Sequence, residues 1–127
     1  MTRTLVRSWV LPTEDPDKVS LAIRNIFGSM DLAYDGNAST FSGSLDGLEG
    51  LKSFRDKIAQ DRIRDTLKRV FSRWRRGDEL SFGLNRQAAY VGHVSLSLEN
   101  EDPMGPIQVN ISGEIDSVIS YLCDKGN

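Results

Sequence analysis

Residues 61–76 read DRIRDTLKRVFSRWRR, and the rest of the chain is organised around this stretch. Ile63, Leu67, Val70, Phe71 and Trp74 recur at i, i+4, i+7, i+8 and i+11, the spacing of one face of an α-helix. At about 100° per residue they fill a wedge roughly 100° wide, as expected of a helix laid on a core. The remaining surface carries Arg62, Arg64, Lys68, Arg69, Arg73, Arg75 and Arg76, relieved inside the helix only by Asp65. Arg64, Lys68 and Arg75 flank one edge of the apolar stripe, and the other four lie further round. The pattern predicts the longest helix of the chain, with a core on one side and a cationic surface on the other.

Working outward, Leu48, Leu51, Phe54, Arg55 and Ile58 mark a preceding helix, separated by a short joint at Gln60-Asp61 where Asp61 is placed to cap the basic helix. Gly77 is placed to end the basic helix with a positive φ. Near the start, Thr4–Leu11 alternates as a strand up to Pro12. Asp15-Pro16 then reads as an N-cap and first helical residue, ahead of a stripe at Val19, Ala22, Ile23, Ile26 and Phe27 that stops near Gly28. Met30–Tyr34 and Ser39–Leu45 read as strands around the turn Asp35-Gly36-Asn37. Downstream, Leu80–Leu84, Val91–Glu99 and Ile107–Ile111 read as strands, with Asn85–Tyr90 a connection or single helical turn and Asn100–Pro106 a loop. Ile115, Val118, Ile119 and Leu122 give the last helix. The order β-α-β-β-α(α)-β-β-β-α predicts one α+β domain over 1–127, with a curved, largely antiparallel sheet covered by helices on one face.

A chain of 127 residues with 39% apolar content suits a single core. The formal net charge of −2 argues against a generally basic nucleic-acid coat, yet the basic charge is segregated and can steer a polyanion locally. One cysteine, Cys123, excludes an intramolecular disulfide. No apolar run approaches the ~20 residues of a membrane helix, and the start is too weakly apolar for a secretory signal, so a cytoplasmic protein is expected, with no membrane partner.

Four segments carry a family resemblance: VLPTEDPDKVSLAIRNIF (10–27), QDRIRDTLKRVF (60–71), FGLNRQAAYVGHVSLSLEN (82–100) and MGPIQVNI (104–111). Together they resemble an archaeal family of uncharacterised proteins commonly labelled predicted RNA-binding proteins or predicted exosome subunits. The resemblance spans nearly the whole chain, with Arg86 where a lysine would also fit and Met104 where leucine is usual. It implies a fold similar to the ribosomal protein that holds the 5S ribosomal RNA, and a homodimer. It supplies no catalytic residue set.

Arginine suits bidentate phosphate contact, so Arg64, Lys68, Arg69, Arg73, Arg75, Arg76 and Arg86 are the candidate RNA-contacting residues. The competing reading makes them a solvated face with local ion pairs, or the flank of a dimer or protein-partner interface anchored by Trp74. Asn85 and Gln87 could read base edges or simply satisfy a tight connection, and Tyr90 is the aromatic beside them that could stack a base. Phe82 stands nearly alone on the sheet, which argues against an aromatic reading platform. His93 is the only histidine and reads as a surface strand residue. Cys123 reads as a small, partly buried residue, and no cluster suits a metal. Asp15/Asp17 and Glu114/Asp116 suit helix N-termini, and Glu99/Glu101/Asp102 lie in or beside the loop. Neither a catalytic residue nor a cofactor is expected.

Overall fold

Residues of the first strand alternate between the two sides of the sheet. In the computed structural model, which describes residues 1–97 and 105–124, β1 (Arg3–Trp9) buries Thr4, Val6 and Ser8 and turns Arg3, Leu5, Arg7 and Trp9 outward. β1 is also the central strand. It pairs antiparallel with β3 (Thr40–Asp46) on one side and β5 (Ile107–Ser112) on the other. β2 (Ala33–Asp35) and β4 (Glu79–Leu84) complete the edges, giving the order β2-β3-β1-β5-β4 with every pairing antiparallel.

The helices bring their apolar stripes to the buried side. α1 (Pro16–Phe27) starts at the Asp15 cap, whose carboxylate accepts from the Asp17 amide, and ends at Gly28 with φ +80°. α2 (Lys52–Gln60) follows a 3-10 turn at Glu49–Leu51 and contributes Phe54 and Ile58. α3 (Arg64–Trp74) contributes Leu67 and Phe71, and α5 (Ile115–Cys123) contributes Ile115, Val118, Ile119 and Leu122. Four phenylalanines join the layers. Phe54 lies 5.1 Å from Phe27 and 5.9 Å from Phe82, and Phe82 lies 4.7 Å from Phe71. Phe82 therefore faces the core and not the open side of the sheet.

Several sequence expectations are corrected. The basic helix begins at Arg64, because Arg62 takes φ +58° and breaks the run from α2. Asp61 does not cap α3. Its carboxylate accepts the Val94 amide at 2.7 Å and meets His93 Nδ1 at 3.0 Å. With 11 residues α3 is one shorter than α1. Gly77 does not end a helix: α3 stops at Arg75, and Gly77 supplies the positive φ of a tight turn in which Arg76 and Glu79 exchange both backbone hydrogen bonds. The strand expected over Val91–Glu99 reduces, in its described part, to one bridge between Leu84 and Leu96. Residues 86–90 form the short helix α4 (Arg86–Tyr90), the single helical turn allowed by the sequence, and Gly92 turns the chain at φ +79°. Among the described residues, Asn85–Ser95 and Gly83–Ser97 hydrogen bonds tie the returning segment to β4 and the residue after it. The expected loop at 100–104, Met104 and the Glu99/Glu101/Asp102 set lie outside the described residues.

Phe54 touches both aromatic layers and is fully buried. Phe54→Ala is expected to cost about 3–5 kcal/mol. Urea unfolding should show a lower midpoint at unchanged slope, since the loss is a cavity and not a change in exposed area.

Candidate nucleic-acid interface

The cations of the basic segment divide by the partners they find. Lys68 pairs with Asp124 beyond α5, and the hydrogen bond to that carboxylate holds the ammonium above its ordinary pKa. Arg75 pairs with Asp116 on α5 and donates to the Gly77 carbonyl at 3.0 and 3.2 Å. Arg64 is half-buried, with its Nε enclosed and without a partner among the described residues. Arg69, Arg73 and Arg76 are exposed and have no side-chain partner among the described residues. Arg69 and Arg73 are four residues apart on α3, where like charges repel by a few tenths of a kcal/mol.

Around Arg73 and Arg76 the surface forms a groove of about 480 Å³, lined also by Trp74, Glu79 and Ser81. α3 supplies Arg73 and Trp74, and the turn after it supplies Arg76. Trp74 is half-buried, packed against the core on one side and lining the groove on the other. Glu79 and Ser81 belong to the outward face of β4, since Leu80, Phe82 and Leu84 take the inner face. From there the open side of the sheet continues in lateral rows. Ser81 pairs with Asn110, which pairs with Leu5 and then Ser44; Asn110 Nδ2 donates to Ser81 Oγ at 2.6 Å. Farther along, the Arg7 guanidinium sits 5.3 Å from the Trp9 ring centroid.

The second candidate cluster turns out to be interior. Arg86 is 1% exposed and pairs with Glu14, itself 6% exposed. Tyr90, one helical turn on, donates its hydroxyl to the same Glu14 oxygen at 2.9 Å, and the Leu11 amide donates to the other at 2.7 Å. Asn85 caps α4 by accepting from the Ala88 amide at 2.9 Å, and Asn25 donates to the Ala89 carbonyl at 3.0 Å. Burial alone would raise the Glu14 carboxyl, but the Leu11 amide, the Tyr90 hydroxyl and Arg86 outweigh it and hold its pKa below the ordinary value. Burial and the Glu14 carboxylate push the Tyr90 hydroxyl up. Arg86 is thus withdrawn from phosphate contact and Tyr90 from base stacking, both occupied in this pair, while Asn85 satisfies backbone. Gln87 alone of this group is exposed.

Sequence reasoning missed Glu79 and Ser81. The signal was present, because alternation from Leu80 places both on the face opposite the core, beside an arginine-rich helix end. His93 is exposed and lies in a loop, not a strand, against Asp61. The buried Cys123 thiol is pushed up to about 11, first by burial and then by Asp124. Among the described residues no three His, Cys, Asp or Glu side chains are grouped to hold a metal, and no helix is long and apolar enough to cross a membrane.

A family model described as RNA binding matches residues 4–113. The UPF0201 protein of Metallosphaera sedula is 33% identical over 128 residues, spanning 98% of this chain and 90% of the relative. That of Sulfurisphaera tokodaii is 35% identical over 129 residues, spanning 98% and 89%. The crystal structure of a UPF0201 protein from Methanococcus jannaschii superposes with a TM-score of 0.83 at 27% identity, covering 95% of this chain and 98% of that one.

Removing one member of the buried pair strands the other. Glu14→Ala is expected to destabilise the fold by about 3–5 kcal/mol at neutral pH. Because the folded carboxyl titrates below its unfolded value, its contribution is complete above that value and fades as pH falls through the lowered one. The stability gap between wild type and Glu14→Gln, measured by urea unfolding, should therefore narrow below about pH 4.

Proposed function

We propose an RNA-contacting, non-catalytic role for this chain, which belongs to the archaeal UPF0201 family. The observation that carries the reading is the set of three exposed arginines, Arg69, Arg73 and Arg76, without counter-ions among the described residues; Arg73 and Arg76 line a groove walled by Trp74, and Arg69 lies one turn back along α3. Keeping Arg69 and Arg73 unneutralised at i, i+4 works against helix stability. It suits a surface that meets phosphates, where each contact releases condensed counterions. The RNA binding description of the matching family model points the same way. Lys68 and Arg75 contribute less, since acids of the chain already neutralise them, and Arg64 is half-enclosed.

The absence of catalysis is part of the proposal. Cys123 is buried with its thiol pushed up to about 11, so it is not poised as a nucleophile. A cytoplasmic location, an exosome-type assembly as partner and likeness to the 5S-rRNA-binding ribosomal protein belong to the same proposal.

A second reading, a structural or adaptor homodimer without RNA, draws on the exposed Leu5 and Trp9 of the open sheet face and on the internal pairing of Lys68 and Arg75.

Titration of labelled single-stranded and hairpin RNA at several salt concentrations separates the two. RNA contact predicts a log–log salt slope of several units. Arg69→Ala/Arg73→Ala/Arg76→Ala should weaken binding and flatten the slope by about 2, at roughly 0.7–0.9 per lost phosphate contact. No binding even at low salt, with a concentration-dependent dimer in sedimentation, would favour the adaptor reading.

A further inference from the structure

The groove holds a feature that phosphate contact does not explain. Glu79 lines it together with Arg73, Arg76, Trp74 and Ser81, and has no ion-pair partner among the described residues. A carboxylate in the same groove as two arginines lowers the affinity of a site meant only for anions. It fits a ligand that brings negative charge to one wall and N–H or O–H donors to the other. The size of the groove, about 480 Å³, lies within the roughly 300–1,000 Å³ of small-ligand sites, enough for a nucleoside and far too small for a duplex.

We infer that the groove receives a single unpaired guanine of an RNA strand, stacked on Trp74, with its Watson–Crick edge on the Glu79 carboxylate and its flanking phosphates on Arg73 and Arg76. Guanine presents N1–H and the N2 amino group side by side, matching the two oxygens of a carboxylate that only accepts. Adenine and cytosine present one amino group beside a ring acceptor, which faces the carboxylate unfavourably, and uracil presents a single N–H between two carbonyls. The edge is free only in single-stranded RNA, where unstacked bases are read on aromatic side chains. Ser81 is held by Asn110 and keeps its own hydroxyl hydrogen to offer. This assignment rests on the RNA-contacting role proposed above and adds base selectivity to it.

Short uridine oligomers carrying G, inosine, A or C at one central position test it by fluorescence anisotropy. The guanosine strand should bind about tenfold more tightly than the A, C and all-uridine strands, as for a bidentate base contact. The inosine strand, lacking the N2 amino group, should fall between. Glu79→Gln should erase the preference, so that with this variant the guanosine strand binds no more tightly than the A, C and all-uridine strands. Equal binding of all strands, or a preference that survives Glu79→Gln, would overturn the guanine assignment and leave RNA contact standing. Free guanosine monophosphate binding as tightly as the strand would overturn the strand as occupant. Failure of every strand to bind at low salt would instead remove the RNA-contacting role itself, and this inference with it.

Discussion

The buried contact between Glu14 and Arg86 constrains more of this structure than any other pair. A guanidinium at 1% exposure cannot persist without an acceptor, and an acid at 6% exposure cannot stay ionised without donors. Their meeting joins the loop before α1 to the residue after β4, positions 72 apart in the chain. Arg86 and Tyr90 reach the same carboxylate because residues 86–90 form a helical turn, which stacks i and i+4 one above the other, whereas a strand would hold them roughly 13 Å apart. Beyond that turn the returning segment meets β4, among the described residues, at one bridge between Leu84 and Leu96.

The same residue type therefore does two unrelated things. Arg86 is inside and fully engaged, while Arg69, Arg73 and Arg76 are outside and unneutralised. Sequence alone cannot separate them, because what distinguishes Arg86 is an acid far away in the chain, not its neighbours. Lys68 and Arg75 illustrate the point again. Their partners, Asp124 and Asp116, lie beyond and on α5, and only the packing of α3 against α5 brings them together. Asp78 has a comparable part in the turn after α3. Its carboxylate accepts the Ile115 and Glu114 amides, stands in as the cap that α5 lacks, and is held below its ordinary pKa by those two bonds.

Much of the fold was legible because burial in it is one-sided. The stripes of α1, α2 and α5, the Asp15 cap, the Gly28 stop and the Asp35 turn all follow from local periodicity and local chemistry. In that turn the Asp35 side chain accepts the Asn37 and Ala38 amides. Three things were not legible. The inner face of β1 carries Thr4, Val6 and Ser8 while Leu5 and Trp9 point outward, so apolarity alone favours the wrong side. Pairing with β3 and β5 settles it. The joint between α2 and α3 was expected at Gln60-Asp61, but its extension to Arg64 needs a positive φ at Arg62, a residue that gives no sign of one. Glu79 and Ser81 look like an ordinary solvated strand face until the end of α3 is laid beside them.

Charge range explains why an acidic chain can still present a locally cationic surface. At physiological salt the Debye length is about 8 Å, so exposed charges act on a ligand mainly at close quarters. Around the groove the balance is set by Arg73 and Arg76 against Glu79, with Arg69 one turn back along α3. Asp116 and Asp124 are already engaged by Arg75 and Lys68. A third cation at position 79 would make a stronger, indiscriminate grip on any polyanion. A carboxylate there gives up part of that attraction and rejects ligands that bring only negative charge. In the RNA-contacting role proposed above, the groove discriminates at some loss of affinity, and the net charge of −2 disfavours unselective hold on nucleic acid by the rest of the surface.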